Sequence, residues 1–188
     1  MAHIQGEASY EFLMERIKDF YQVFVPNVER FIAMTDESFV AAAERWKDTV
    51  FRLAYSYTKN REDADDVTQE VLLALWREEK EFTSQEHLRN WLVRVTLNRC
   101  KALFRSPWRR RESLEDYAET LGFEQPDHTA LFLAVMGLER KYRLPLLLHY
   151  FFGYAVREIG ALLGLPENTV STRLRRARAK LKDQLTEE

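Results

Sequence analysis

The feature that most constrains the fold of this chain is the spacing of its apolar residues, which recur at every third or fourth position over long stretches. This spacing places them on one side of a helix with 3.6 residues per turn, whereas a half-buried strand requires strict alternation. No run of the sequence alternates in that way. Glycine and proline, which interrupt helices, number only six and five among 188 residues. The pattern predicts an all-α protein.

Three amphipathic helices are predicted in the first half of the chain, with a break at Lys59-Asn60-Arg61 between the first two. Their inward-facing stripes are predicted at Phe39, Ala43, Trp46, Val50, Leu53 and Tyr57, at Ala64, Val67, Val71 and Leu75, and at Leu88, Trp91, Leu92 and Val95. Together these stripes predict a small helical bundle over residues 34–106.

The helical pattern fades over residues 107–128, where Pro126 interrupts it and acidic residues are frequent. This composition predicts a linker, and the periodicity that follows predicts a second helical domain over residues 129–188. Residues 1–33 follow helical spacing, but Pro26 would interrupt a single helix. Two interpretations of this segment stay open: a packed extension, or an upstream stretch that precedes a natural start at Met34.

Charge is segregated along the chain, although the net charge is only −2. Residues 62–86 are rich in carboxylates, whereas residues 89–111 and 173–182 are rich in arginine and lysine. The net value therefore conceals one acidic and two basic surfaces. Solvated helix faces of accidental sign are the alternative explanation from charge alone.

Residues 155–182 have the pattern of a helix-turn-helix. Gly164 supplies the turn because glycine accepts a positive φ, Gly160 is small where two helices approach closely, and Pro166 suits the start of a helix. The core of this unit is predicted to consist of Ile159, Leu163, Leu165, Val170 and Leu174.

The second helix of this unit carries a face suited to the major groove of DNA. Short polar side chains near its beginning allow close approach to base edges, and arginine binds guanine or phosphate. The face comprises Asn168, Ser171, Thr172, Arg175, Ala179 and Lys182, flanked by Arg176, and it lies opposite a buried stripe predicted at Val170, Leu174, Ala177 and Leu181. A basic solvated helix in an ordinary bundle is the alternative.

Two further faces are predicted in the first domain. On the second helix, the outward residues are carboxylates and amides surrounding one leucine, a hint of a protein docking surface: Glu62, Asp65, Asp66, Gln69, Glu70 and Leu73. On the third helix, amide and basic groups beside aromatic residues suit a groove for single-stranded nucleic acid: His87, Asn90, Arg94, Asn98, Lys101 and Arg105. A solvated basic face remains the alternative for the third helix.

The sequence favours neither a metal centre nor an active site. Cys100 is the only cysteine, so an internal disulfide and a multi-cysteine zinc site are excluded. The four histidines lack ligand spacing, and the carboxylates have no nucleophile or base at helical spacing beside them. We expect no cofactor, no bound metal and no catalytic residue. No run is long and apolar enough for a membrane span, and no secretion signal is visible, so a cytoplasmic location is expected.

Three segments, in this order, resemble the bacterial sigma factors of the extracytoplasmic-function group: VFRLAYSYTKNREDADDVTQEVLLALW, FTSQEHLRNWLVRVTLNRCKALF and REIGALLGLPENTVSTRLRRARAKL. The resemblance runs from about residue 36 to residue 185. It implies that residues 34–106 are region 2, which binds core RNA polymerase and the minus-ten element. Residues 129–188 would be region 4, whose helix-turn-helix binds the minus-thirty-five element.

The resemblance also implies roles for individual residues. It places the polymerase β′ clamp helices against Asp65, Asp66, Gln69, Glu70 and Leu73, and minus-ten DNA against Phe82, Arg94, Asn98 and Lys101. It places the minus-thirty-five element against Ser171, Thr172, Arg175 and Arg176, and Asn168, on the same polar face, is expected to contact that element with them. Further expected partners are the β flap and an anti-sigma factor.

Two departures from the family pattern matter for function and stability. Thr83-Ser84 follows Phe82 where glycine is usual, which leaves the minus-ten preference open. Ala155 stands where a capping serine or threonine is common, which weakens the helix start by roughly 1 kcal/mol. The rival functions are a helix-turn-helix regulator that acts without being a polymerase subunit, disfavoured by the acidic helix, and a helical enzyme.

Overall fold

A computed structural model describes residues 36–78, 81–104 and 126–186, and within these ranges it contains seven helices and no strand. The predicted all-α class is thereby confirmed. The helices are α1 (Asp36–Thr58), α2 (Arg61–Trp76), α3 (Gln85–Leu103), α4 (Pro126–Gly137), α5 (Arg140–Tyr150), α6 (Val156–Leu163) and α7 (Glu167–Thr186). The predictions made for residues 1–33, for Arg105 and for most of the linker lie outside the described residues.

The chain divides into two compact units, of which the first contains α1, α2 and α3. In this unit α1 packs against both other helices, and α2 also packs against α3. The predicted stripe of α2 is confirmed, since all four of its members are at most 1% exposed: Ala64, Val67, Val71 and Leu75. In α1 the predicted positions Trp46, Val50 and Leu53 are buried, whereas Phe39, Ala43 and Tyr57 are half-buried.

The break between α1 and α2 occurs where it was predicted. Lys59 adopts a positive φ of 54°, which ends α1, and its N–H donates to the Tyr55 carbonyl oxygen at 2.8 Å. Asn60 then caps α2, because its side-chain oxygen accepts from the N–H of Asp63 at 2.7 Å. Ser84 caps α3 in the same way, accepting from the N–H of His87 at 3.0 Å.

The second unit contains α4 to α7, with α4, α5 and α6 each packed against α7. The predicted stripe of α7 is confirmed, since its members are at most 3% exposed: Val170, Leu174, Ala177 and Leu181. Ile159 is also fully buried, but the prediction that Leu163 and Leu165 close the core is wrong, because both are half-buried. They flank the turn, where only part of each side chain is covered.

Backbone contacts shape the turn between α6 and α7. Gly164 has a φ of 71°, as predicted for a left-handed turn residue. The N–H of Leu165 donates to the Gly160 carbonyl oxygen at 2.8 Å. A Cβ at Gly160 would lie 2.7 Å from the Leu165 carbonyl oxygen, which is too close for any side chain. The close approach predicted at Gly160 is therefore to the backbone of the turn.

A buried arginine links α4 to α5. Arg143 is 1% exposed, and its guanidinium donates to the carbonyl oxygens of Met136, in the last turn of α4, and of Leu138, just after that helix. Carbonyls at the end of a helix lack partners within it, so the arginine satisfies groups that would otherwise be buried without a hydrogen bond. Pro126 begins α4, within the segment predicted as linker; proline is tolerated in the first turn because its missing N–H would be unpaired there.

Candidate protein-docking and nucleic-acid surfaces

The predicted acidic face lies on the exposed side of α2, opposite its buried stripe. The structure places all five predicted docking residues on this side and exposes each of them: Asp65, Asp66, Gln69, Glu70 and Leu73. We call this set the acidic face. An isolated helix with so many carboxylates is slightly destabilised by their repulsion, so its stability depends on packing through the buried stripe.

Two ion pairs border the acidic face, and both are open to water. The Arg61 Nε lies 3.9 Å from the Asp65 carboxylate, and the Arg99 guanidinium of α3 lies 3.5 Å from that of Glu70. The side chains of all four residues are about half exposed. Such pairs contribute on the order of 0.2–1 kcal/mol or less, so both can be exchanged for contacts with a partner.

Trp76, the last residue of α2, was not predicted from the sequence to be part of this surface. Its side chain is 56% exposed and Leu73, three positions earlier, is 47% exposed. Residues three apart lie on the same side of a helix, so the two form an apolar strip that continues the acidic face. The three-residue spacing of Leu73 and Trp76 is the sequence signal that would have placed Trp76 on this surface. An exposed tryptophan next to an exposed leucine, rimmed by carboxylates, is typical of a protein contact surface.

Phe82 lies just before α3 and packs in an aromatic cluster with residues from the first turns of that helix. The ring is only 6% exposed, and its centroid lies 5.4 Å from that of His87 and 5.6 Å from that of Trp91, with both contacts edge-to-face. The Trp91 indole N–H donates to the Glu78 carboxylate at 3.0 Å. This bond ties the segment after α2 to α3 and was not foreseen from sequence. The backbone nitrogen and the hydroxyl oxygen of Thr83 each lie 3.4 Å from His87 Nδ1.

The predicted basic face of α3 runs away from this cluster. Arg94 and Asn98 are exposed and Lys101 is half-buried. Asn98 follows Trp91 by two helical turns, about 10 Å along the axis. Phe82 therefore packs at the beginning of this face, and Asn98 lies towards its end.

The predicted DNA-reading residues lie together along α7. They lie opposite the confirmed buried stripe, and Thr172 is half-buried. The other four are exposed: Asn168, Ser171, Arg175 and Arg176. The Arg178 guanidinium donates to the Tyr150 hydroxyl at 3.1 Å, which fixes α7 against the end of α5. The arrangement offers hydroxyl and amide groups near the first turns of α7 and guanidinium groups farther along.

Among the residues that the structure describes, no group of three or more histidine, cysteine or acidic residues is arranged to hold a metal ion. Cys100 is buried. None of the described helices combines the length and the apolar character that crossing a membrane requires.

Comparison with known proteins identifies both units. Residues 42–110 match the family model Sigma-70 region 2, and residues 128–181 match Sigma-70, region 4. The chain is 30% identical over 145 residues to the RNA polymerase sigma factor SigV of Bacillus subtilis (strain 168), an alignment that covers 76% of this chain and 87% of SigV. It is 35% identical over 149 residues to the ECF RNA polymerase sigma factor SigE of Mycolicibacterium smegmatis (strain ATCC 700084 / mc(2)155), covering 73% of this chain and 58% of SigE.

Among solved structures, the chain is similar to the sigma factor RpoE of Bartonella quintana, which was crystallised with the anti-sigma factor NepR. The TM-score is 0.60 at 18% identity, with 80% of this chain and 98% of that chain covered, so the likeness concerns the fold. The two matched regions, their order and the identity to SigV lead to one conclusion. The chain belongs to the extracytoplasmic-function group of bacterial RNA polymerase sigma factors, which direct promoter recognition and transcription initiation.

Proposed function

We propose that the acidic face of α2 docks on the β′ clamp helices of core RNA polymerase. The observation that carries this proposal is the exposure of Leu73 and Trp76 within a carboxylate-rich surface. The apolar strip supplies surface that gains from being buried, and the carboxylates around it select a basic partner. The exchangeable pair between Arg99 and Glu70 leaves this surface accessible to such a partner.

The basic face of α3 would hold the separated strand of the minus-ten element. Arg94 and Lys101 supply positive charge for its phosphates, and Asn98 supplies an amide for a base edge. Phe82 acts in this proposal from a buried position: its ring, packed on His87 and Trp91, forms the floor beneath an unstacked base. Capture of that base offsets a few kcal/mol of unpairing cost.

The exposed side of α7 would read the minus-thirty-five element in the major groove. Ser171 and Thr172 are short enough to let the helix approach the base edges, and Arg175 and Arg176 reach guanine or phosphate. Asn168 lies one turn earlier on the same side. Because helix-turn-helix units enter the groove with the beginning of the second helix, these residues are the ones that meet bases first.

The two units then divide the work, with region 2 over residues 34–106, the linker over 107–128 and region 4 over 129–188. Each unit alone contacts few phosphates, so the free factor binds a promoter weakly. Polymerase fixes the spacing of the two units and makes the second contact intramolecular, which raises the effective affinity. No catalytic group is assigned to the factor, since polymerase performs the chemistry.

Further partners belong to the same proposal. RpoE of Bartonella quintana was crystallised with an anti-sigma factor, and an inhibitor of that class that covers the acidic face would silence this chain. We also expect region 4 to contact the β flap, and the chain to be located in the cytoplasm, where the core enzyme acts.

The docking proposal is tested by reversing two charges of the acidic face, Asp66→Lys with Glu70→Lys. We expect this variant to lose core polymerase binding by at least a hundredfold and to give no specific transcripts from a promoter library. The matched control is Glu44→Lys with Asp48→Lys, which reverses two exposed carboxylates at the same i,i+4 spacing on α1. Both variants are checked by thermal unfolding, because reversing the charge of Glu70 places a like charge beside Arg99.

Wild-type protein that gives no core-dependent transcripts at all would contradict the functional assignment itself. If core affinity survives the double reversal, or if the α1 control loses it equally, the docking face is misplaced.

A further inference from the structure

An open pocket of about 470 Å³ lies between the start of α5 and the side of α7. Three cationic side chains line it: Lys141 from α5, and Arg173 and Arg176 from α7. Tyr142, Asn168 and two threonines, Thr169 and Thr172, complete its lining. Three of these residues, Asn168, Thr172 and Arg176, also belong to the proposed minus-thirty-five face, so the pocket adjoins that face directly.

The lining chemistry selects an anion. No carboxylate lines the pocket, whereas two guanidinium groups, one ammonium, three hydroxyls and one amide do. Guanidinium groups bind phosphate through two parallel N–H donors, and an ammonium adds a point charge. An opening of this size on a DNA-reading helix suits one phosphodiester group with the sugar edges on either side of it.

Lys141 is restrained at the edge of the pocket by a neighbouring carboxylate. Its Nζ lies 2.6 Å from the Glu139 Oε2, with side chains 48% and 58% exposed. The hydrogen bond from Lys141 lowers the pKa of Glu139, and the same bond raises the pKa of Lys141. Both groups are therefore charged near neutral pH. The Lys141 ammonium also lies 4.9 Å from the centre of the Tyr142 ring, and the Lys180 ammonium lies 5.8 Å from it.

Glu139 begins α5 through its backbone, since its carbonyl oxygen accepts from the N–H groups of Tyr142 and Arg143. It occupies the N-cap position of that helix but makes no side-chain capping bond. Its carboxylate contacts Lys141, so one of the three cations that line the pocket is already paired before DNA binds. Because an exposed ion pair of this kind is weak, a DNA phosphate can displace the carboxylate.

We infer that this pocket binds one phosphate of the DNA backbone beside the minus-thirty-five bases, and that Glu139 competes with the phosphate for Lys141 and so limits promoter affinity. The inference rests on the proposed reading role of α7. It adds a contact that carries no sequence information and an intramolecular competitor that sets its strength. Phosphate contacts position a protein on the duplex, whereas base contacts specify the sequence.

The test measures the affinity of holoenzyme, assembled from core polymerase and the full chain, for promoter DNA between about 50 and 200 mM salt. Lys141→Gln is expected to weaken binding roughly three- to tenfold, equally on promoters with the cognate and with a substituted minus-thirty-five element. The slope of log affinity against log salt should become shallower by about 0.9, the value for one phosphate.

Glu139→Gln is expected to act in the opposite direction and to tighten binding roughly two- to fivefold on every promoter. In the Lys141→Gln background the same substitution should lose more than half of its effect, because it acts through the ammonium. Matched controls are Lys47→Gln and Glu44→Gln, which change single exposed charges on α1 and should leave both affinity and slope within error. Thermal unfolding verifies that each variant is folded.

Arg175→Ala separates failure of this inference from failure of the proposed function. If Arg175→Ala lowers discrimination between the two promoters while Lys141→Gln and Glu139→Gln change nothing, the pocket does not bind phosphate and the reading face stands. A loss at Lys141 that depends on the minus-thirty-five sequence would make it a base reader and overturn the inference. If Arg175→Ala also leaves discrimination unchanged, the reading face itself is wrong.

Discussion

The two helical units begin their helices by different means. In the first unit, side chains cap the helices: Asn60 caps α2 and Ser84 caps α3, each accepting a backbone N–H. In the second unit, the N-cap residues of α5 and α6, Glu139 and Ala155, make no side-chain capping bond to the helix. At α6 a side chain of the helix accepts from the N-cap residue instead: the Ala155 N–H donates to the Glu158 carboxylate at 2.8 Å.

The second unit obtains its geometry from tertiary contacts instead. The turn before α7 requires Gly160 to approach the Leu165 carbonyl, and the end of α4 requires the buried guanidinium of Arg143. Capping bonds are local and each contributes about 1 kcal/mol, so they are individually replaceable. Close backbone approach and buried charge depend on several elements at once. We therefore expect single substitutions to cost more in the region 4 unit than at the caps of region 2.

The largest effect is expected for Gly160→Ala. The added Cβ would meet the Leu165 carbonyl oxygen at 2.7 Å, so the backbone of the turn must shift, at a cost of about 2–3 kcal/mol. The matched control is Gly164→Ala, which has open space around its Cβ but a φ of 71° and should cost about 1 kcal/mol. Hydrogen exchange of α6 and α7 measures both losses locally. Equal costs at the two glycines would contradict the importance of close approach.

Arg143→Met is expected to have the next largest effect. The substitution keeps much of the apolar volume but leaves the Met136 and Leu138 carbonyls without this donor, which destabilises the unit by about 2 kcal/mol. Arg157→Met, at an exposed position on α6, is the control and should change stability by no more than about 0.5 kcal/mol. Chemical unfolding, monitored by hydrogen exchange, measures the change in stability for both variants. If Arg143→Met left the stability unchanged, the buried arginine would not be one of the contacts that stabilise the region 4 unit.

The smallest effects are expected at the caps, and they have opposite signs in the two units. Asn60→Ala removes the bond to the Asp63 N–H and should destabilise α2 by about 1 kcal/mol. Ala155→Ser should stabilise α6 by roughly 0.5–1 kcal/mol, because the backbone there is already extended, with φ −67° and ψ 155°. Thermal unfolding of both variants checks the signs. A serine at 155 that fails to stabilise would mean that Glu158 already supplies all the capping that α6 can use.

Helical periodicity predicted the elements and the full buried stripes of α2 and α7, because it depends on spacing along one helix alone. It predicted the stripes of α1 and α3 only in part, since Tyr57 of α1 and Trp91 and Val95 of α3 are half-buried. Val67, Val71 and Leu174 are buried as the spacing requires. The exposure of the acidic face follows from the same rule, since polar residues occupy the side of α2 opposite that stripe. The residue roles assigned by resemblance stay predictions, to be decided by the variants described above.

What the pattern did not predict depends on contacts between elements. Arg143 is a charged residue whose burial arises only because the end of α4 lies beside α5. Phe82 stands in a connecting segment without periodicity, and its burial requires the side chains of His87 and Trp91 nearby. Leu165 was assigned to the core from its apolar character, but the turn covers only part of it. Each case requires distances across the fold, which spacing along one helix does not contain.

The exposed indole at the end of α2 gives the protein an intrinsic reporter. Among the tryptophans that the structure describes, Trp76 is exposed, whereas Trp46 is buried in the core and Trp91 is half-buried and bonded to Glu78. Covering the apolar strip that Trp76 shares with Leu73 would transfer this indole to an apolar medium and shift its fluorescence emission to shorter wavelength. Occupancy of that strip, whether by polymerase or by an inhibitor, can then be followed optically without attaching a dye.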